Sequence, residues 1–470
     1  MIIMQKINFI DRDRELNFLE ELHSKKGGLV IIYGRRRVGK TELIKQFITG
    51  KNHLYYLADK RGTEINARNM ARLAAETFNE MPPVVENFDD VFKFIVKRTD
   101  EKFIVVIDEF SYLVEKDSAI PSVFQAIVDE IIRGKEILLI LSGSSISMMY
   151  KGTLSYKSPL YGRRIGEWKL NPLYFKDVIK FFPGAGLEKV IEIYAIFGNI
   201  PSYLEDVDAS LPIKENIINS ILKKGSKLYR EPEFLLKEEL REPSRYISIF
   251  EALGSSAKLS EIASKAGVPA KDMPKYFKVL SDLELVRKEV PATEKKTKNS
   301  HYYINDNLFH FFFKLVNPNI SLLEEGREEE AYKKIDLSLQ LLISTAFEDV
   351  VREGIAAFLD FQSESTGRWW GYSRKDGIRF EEEIDVVALN QMEKKIAFIE
   401  CKFSVLNYKN ALKVISDLKR KAKIVKWHDR QRKEIFGIAA KKIEGKEKLR
   451  EEGFIALDFD DLETVLGSYA

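Results

Sequence analysis

Residues 29 to 41, LVIIYGRRRVGKT, constrain this chain more than any other stretch. LVIIY reads as a buried strand that breaks at Gly34, and beyond the loop Leu43, Ile44, Phe47 and Ile48 recur at helical spacing. Two more apolar strands follow, FIVVIDEF (103–110) and ILLILSGSS (137–145), with a helical SVFQAIVDEIIRG between them that Gly134 stops. Strands alternating with helices predict an α/β fold around a mostly parallel sheet. The polar residues at the strand ends mark its ligand edge.

The loop satisfies G-x-x-x-x-G-K-[ST] with Gly34, Gly39, Lys40 and Thr41, and Arg35, Arg36, Arg37 and Val38 fill the intervening positions. Backbone N–H groups of such a loop cradle phosphates at a helix N-terminus. Lys40 is placed to neutralise β/γ oxygens and Thr41 to ligate Mg²⁺, which makes ATP and Mg²⁺ the expected cofactors. Asp108, ending FIVVID, is placed to hold the Mg²⁺ water shell, and Glu109 to polarise an attacking water. Ser142 or Ser144 could sense the γ-phosphate, or simply form a turn. Arg163 and Arg164 in LYGRR are candidates to stabilise transition-state charge, in cis or across subunits, which leaves a homo-oligomer open.

At 470 residues the chain is long enough for about three domains. With 45% hydrophobic and 31% charged residues and a net charge of +3, it has an ordinary globular composition. From 402 to 450, however, sixteen Lys/Arg stand against five Asp/Glu. The single cysteine, Cys401, excludes an intrachain disulfide framework and a multi-cysteine zinc site. MIIMQKINFIDRDREL lacks the pattern of a signal peptide, and no apolar run reaches membrane-spanning length, so a cytoplasmic protein with no membrane partner is expected.

The order FIDRDREL, GRRRVGKTEL, VVIDEF, LSGSS, PLYGRR, PLYF and IFGNIPSYL closely resembles the archaeal ATPase family, of the AAA+/STAND class of P-loop NTPases, over residues 9 to 205. Phe9, Arg12, Glu15 and Leu16 occupy that family's N-terminal element. Its G-G-x-P lid motif is here Gly198, Asn199, Ile200 and Pro201; asparagine tolerates the left-handed conformation, so the turn is expected to survive. The resemblance implies ATP binding and hydrolysis. The expected organisation is a P-loop ATPase domain over 1–175, a helical lid over 176–240 and a winged helix over 241–305, with Gly267 in the helix-helix turn. DNA is the expected partner of the third. Lys271, Lys275 and Lys278 lie on its recognition helix, and the basic hairpin RKEVPATEKKTKNSHYY touches backbone as the wing. Such a module can instead serve as a spacer.

The last unit, 306–470, carries a helix over 337–359 and a strand hairpin, EEEIDVVALN (381–390) and IAFIECKFS (396–404). Alternation puts Glu383 and Asp385 on one face of the first strand, and Glu400 and Lys402 on one face of the second. Carboxylates Asp385 and Glu400 suit one or two Mg²⁺ ions, with Lys402 positioning or activating water and Glu348, on the helix, completing the shell or orienting the water. These residues resemble the signature of the PD-(D/E)xK nuclease superfamily, with Ile384 where that superfamily has proline. The helix YKNALKVISDLKRKAK leaves Lys409, Lys413 and Arg420 for solvent or phosphate. The expected function is ATP binding and hydrolysis coupled to a DNA-directed, metal-dependent nuclease. Two alternatives remain, a STAND-type signalling switch and a DNA-binding regulator whose nuclease-like charges merely form a salt-bridged strand pair.

Overall fold

The computed structural model describes residues 9–25, 27–295, 299–375, 377–429 and 431–467. The chain divides into two compact units, Met1–Pro172 and Leu173–Ala470.

The first unit is a five-stranded parallel sheet. Helix α1 (Asp13–Ser24) leads into β1 (Gly28–Tyr33), the glycine loop and α2 (Lys40–Ile48); β2 (His53–Leu57), β3 (Phe103–Asp108), β4 (Ile137–Gly143) and β5 (Arg164–Lys169) follow. Their order across the sheet is β2-β3-β4-β1-β5, every pair parallel. β3 and β4 are buried at every position because helices cover both faces of the sheet, which is why they read as unbroken apolar runs. β4 lies between β1 and β3, so its end sits between the glycine loop and the Asp108–Glu109 pair.

The second unit begins with helices over Phe175–Phe181, Leu187–Phe197 and Glu231–Glu239. The turn after Phe197 survives for a different reason from the one expected. Gly198 alone takes positive φ (76°), while Asn199 donates its side-chain amide to the Leu173 carbonyl and accepts the Leu173 N–H at its own. Three helices, α3 (Pro243–Leu253), α4 (Leu259–Lys265) and α5 (Met273–Asp282), precede an antiparallel pair, β6 (Val286–Glu289) and β7 (His301–Ile304). Gly267 turns between α4 and α5 at φ 63°, and Lys271, Lys275 and Lys278 are exposed. The wing is described only in part. Lys296, Thr297 and Lys298 lie outside the described residues, and its base is docked on the chain's own C-terminal sheet. The Ala292 N–H bonds the Arg368 carbonyl at 2.8 Å, His301 stacks on Trp370 at 4.4 Å, and nearby Lys258 pairs with Glu381 at 2.8 Å.

The remainder is a mixed sheet, β12-β11-β10-β9-β8, of β8 (Ser365–Lys375), β9 (Ile378–Asn390), β10 (Lys395–Leu406), β11 (Lys433–Ile443) and β12 (Ile455–Leu457). β8, β9 and β10 pair antiparallel, and β10, β11 and β12 parallel. Helix α6 runs from Glu328 to Gly354, starting nine residues before the predicted 337, and α7 spans Tyr408–Ala422. β10 is therefore the middle strand. Trp369 and Trp370 are both buried, as packing residues.

Candidate functional site

The glycine loop is held by its own lysine. Lys40, 5% exposed at the start of α2, donates Nζ to the carbonyls of Gly34 (3.0 Å) and Arg35 (2.8 Å). A Cβ on Gly34 would stand 2.3 Å from the Leu170 carbonyl oxygen, so only glycine lets β1 end there. Gly39 and Arg37 take left-handed φ values of 97° and 68°, turning successive N–H groups toward the helix start. Arg36 donates to the Tyr112 hydroxyl, and the Val38 carbonyl accepts from Arg12 Nη2 at 3.2 Å. Buried Arg12 also reaches the Asn171 carbonyl (2.8 Å) and Glu15 (3.2 Å), clamping the loop from behind.

Across β4, Thr41 Oγ1 donates to Asp108 Oδ2 at 2.7 Å, and the Tyr55 hydroxyl donates to the same oxygen at 2.7 Å. Burial first, then Asp108, pushes the Tyr55 phenol up, so it stays a donor. The half-buried Thr41 hydroxyl beside a 1%-exposed carboxylate is the hard-oxygen donor set that suits Mg²⁺. Glu109 sits in the left-handed region (φ 56°), its carboxylate receiving the Ser144 hydroxyl (2.5 Å), the Ser144 N–H (3.3 Å) and the Ser111 hydroxyl (3.3 Å). Such a backbone conformation at a non-glycine residue costs free energy and gathers at functional sites. Ser142, buried at the end of β4, has a hydroxyl with no partner among the described residues, which suits a sensor awaiting a phosphate oxygen. Arg163 gives its guanidinium to Asp129 (2.8 Å) and the Pro159 carbonyl (2.8 Å), and Arg164 pairs with Glu167, so both are engaged outside the loop.

In the second unit, β9 and β10 pair from Asn390–Lys395 down to Val386–Ile399, and the ladder stops there. The next residues are Asp385 and Glu400. Asp385 Oδ2 accepts the Cys401 N–H at 2.8 Å in place of a strand bond, and the Asp385 carbonyl accepts from Arg352 Nη1 at 2.9 Å. Pairing with β8 slips between Gly367 and Trp369, so strict alternation fails at this point, and Ile384, Val387 and Leu389 enter one apolar cluster. A bulge of this kind re-aims a side chain, here the Asp385 carboxylate. Glu400, 7% exposed, receives Lys402 (3.0 Å) and Lys421 (3.1 and 3.3 Å).

Burial, then the Glu400 charge, raises the Asp385 carboxyl above its ordinary value. Burial lowers Lys402, but Glu400 and Asp385 outweigh it and hold the group above the ordinary lysine value. Lys402 is thus held as an ammonium against Glu400. Buried Glu400 and half-buried Asp385 fit Mg²⁺, which binds through one or two carboxylates and keeps its waters. Among the described residues no three acid, histidine or cysteine side chains could together hold a metal ion, so Glu348 does not complete a shell. Its carboxylate is taken by Arg368 at 2.7 Å, and burial, offset by Arg368 and reinforced by Asp385, raises its pKa to about 7. Cys401 is buried, and desolvation raises its thiol well above the usual range. Arg420 is drawn off by Glu382 at 2.7 and 2.9 Å, while Lys409 and Lys413 remain exposed. Sequence reasoning missed Lys421, Tyr55 and the clamping role of Arg12.

Residues 9–207 match the family of ATPase domains found predominantly in Archaea, and 312–414 match a family of archaeal and bacterial proteins of unknown function. Residues 9–207 are thus an ATPase domain of the P-loop NTPase type, followed by a separate mixed-sheet domain. The uncharacterized protein MJECL04 of Methanocaldococcus jannaschii is 37% identical over 447 residues, covering 93% of this chain and 97% of its own. The chain belongs to that protein's family. A 46-residue stretch is 52% identical to the uncharacterized ATP-binding protein MJ0423 of the same organism, covering 10% of this chain and 78% of that one. Among solved structures, the Walker-type ATPase PABY2304 of Pyrococcus abyssi aligns at TM-score 0.49 and 18% identity, over 66% of this chain and 97% of its own. The ORC2 protein of Aeropyrum pernix, solved as ADPNP–ADP complexes, aligns at 0.43 and 14%, over 69% and 97%. No helix among the described residues is long and apolar enough to cross a membrane.

Proposed function

We propose that this protein binds and hydrolyses ATP and couples that cycle to metal-dependent cleavage of DNA at the Asp385–Glu400 site. In the first unit Lys40 and the loop N–H groups bind the β/γ-phosphates, and Thr41 and Asp108 would hold Mg²⁺. Ser142 senses the terminal phosphate. Glu109, oriented by Ser144, accepts a proton from the attacking water. In the second unit Asp385 and Glu400 would hold the cation, which when bound lowers the pKa of its water. Lys402 and Lys421 offset charge developing on the phosphodiester. The exposed lysines of α5 steer the duplex.

The observation that carries this reading is the end of the β9–β10 ladder, where buried Glu400, half-buried Asp385 and two lysines converge in the middle of a sheet. Incubating the full-length protein with plasmid, ATP and Mg²⁺ or Mn²⁺ tests it. Nicking is expected from the wild type and is lost in Asp385→Ala and in Lys402→Ala; nicking retained equally by both comes from elsewhere. Lys40→Ala should abolish ATP turnover, and unchanged turnover would overturn the phosphate assignment.

A second reading rests on the direct Glu400–Lys402 and Glu400–Lys421 pairs, which could close the site as a salt-bridged strand pair. The protein is then a DNA-binding regulator or a STAND-type switch. DNA binding that weakens with salt, without any cleavage in either metal, would favour it.

A further inference from the structure

Asp108 has few acceptor positions left, and how they are filled decides how it can meet a cation. Oδ1 accepts the Glu109 N–H at 3.0 Å, and Oδ2 accepts two hydroxyls, from Thr41 and from Tyr55, each at 2.7 Å. An ionised carboxylate offers about four lone-pair sites, so about one remains, on Oδ1. Asp108 is 1% exposed and has no ion-pair partner among the described residues. A buried carboxylate of this kind is satisfied by hydrogen bonds and by a metal. Two of its three donors are fixed otherwise, the Glu109 N–H by the turn and Thr41 by the glycine-loop motif. Tyr55 belongs to neither.

Its place follows from the sheet. β2 runs parallel to β3 with Tyr55 beside Val106 and Leu57 beside Asp108. Alternation sends the two adjacent tyrosines to opposite faces: buried Tyr56 donates to Asn66 at 2.8 Å, whereas half-buried Tyr55 reaches the Asp108 carboxylate. A phenylalanine at 55 would fill the same space and leave Oδ2 with a free acceptor. We infer that Tyr55 is a positioning residue that sets which divalent cation the glycine-loop site accepts, because it leaves Asp108 one acceptor, enough for a cation's water and too little for the cation itself. Mg²⁺ gives up its waters reluctantly and suits that arrangement, whereas Ca²⁺ takes about six to eight oxygens and accepts carboxylates directly, often through both oxygens. With Tyr55 on Oδ2, Asp108 does not present both. The inference rests on the reading of Lys40, Thr41 and Asp108 as the ATP and Mg²⁺ site and adds a selectivity to it.

The test titrates a fluorescent ATP analogue into the full-length protein with Mg²⁺, with Ca²⁺ or with EDTA, as wild type, Tyr55→Phe and Tyr56→Phe. Tighter binding with Mg²⁺ than with Ca²⁺ is expected of the wild type. Tyr55→Phe should keep the metal-free affinity and lose about tenfold of the affinity that Mg²⁺ adds, while affinity with Ca²⁺ holds or improves. Tyr55→Leu, which also lacks the hydroxyl, should shift the Mg²⁺-to-Ca²⁺ ratio the same way. Tyr56→Phe loses a buried hydrogen bond of the fold and should leave that ratio at the wild-type value. A ratio unchanged in both Tyr55 variants, or one that falls equally in Tyr56→Phe, overturns the inference and leaves the phosphate site standing. Wild-type binding that neither metal alters sinks the Mg²⁺ assignment of Thr41 and Asp108, and this inference with it.

Discussion

At the scale of single residues, Glu109 joins a left-handed backbone to a carboxylate fixed by Ser144 and Ser111. Its role predicts that Glu109→Gln keeps ATP affinity but lowers turnover by about 10²-fold or more, checked by parallel binding and phosphate-release assays. Near-normal turnover would move the base elsewhere. His310 supplies a pH prediction. Burial, with Lys314 adding to it, lowers its pKa from 6.5 to about 3, so the folded protein holds it neutral while the unfolded chain binds a proton. That contribution is complete above pH 6.5 and is lost as pH falls toward 3, with a slope of at most about 1.4 kcal/mol per pH unit. Urea midpoints measured from pH 7 to 5 should fall less steeply in His310→Gln than in the wild type; identical slopes would refute the assignment. The glycine-loop residues were legible in sequence because their chemistry is local, fixed by spacing within eight positions. Tyr55, Arg12 and Lys421 were not, since their targets are chosen by tertiary contact.

Among the elements, legibility followed burial pattern. β3 and β4 announce themselves as apolar runs because both faces are covered. β8, with its two tryptophans side by side, breaks alternation at the register slip, and β11 hides in the basic stretch between 402 and 450. On α7 the apolar stripe was readable, but Arg420 and Lys421 differ by one helical step, and it is Lys421, next to buried Ala422, that faces Glu400. The Asp385 bulge was invisible because strict period-two reading admits no slip. The α1–loop clamp carries a prediction at this scale. Arg12→Ala removes charged hydrogen bonds to Val38 and Asn171, worth about 1.5–3 kcal/mol each, and should weaken ATP binding by about tenfold or more. Unchanged affinity in a folded variant would show the loop holds its shape without α1.

For the whole molecule, contacts bind together the two segments on either side of the predicted boundary at 305/306. Arg287 of β6 pairs with Asp349 of α6 at 3.2 Å, and this joins the Ala292–Arg368 bond and the His301–Trp370 stack across it. A fragment of 306–470 should therefore unfold at lower urea, with a broader transition, than a fragment of 173–470. Equal midpoints and slopes would make the wing contacts incidental. The same docking has a geometric consequence. On the proposed reading, a recognition helix carried on a module packed against the cutting sheet cannot choose its distance from the cut: if α5 seats in a groove of DNA, any break falls at a constant offset to one side of the recognised sequence, as a ruler sets it.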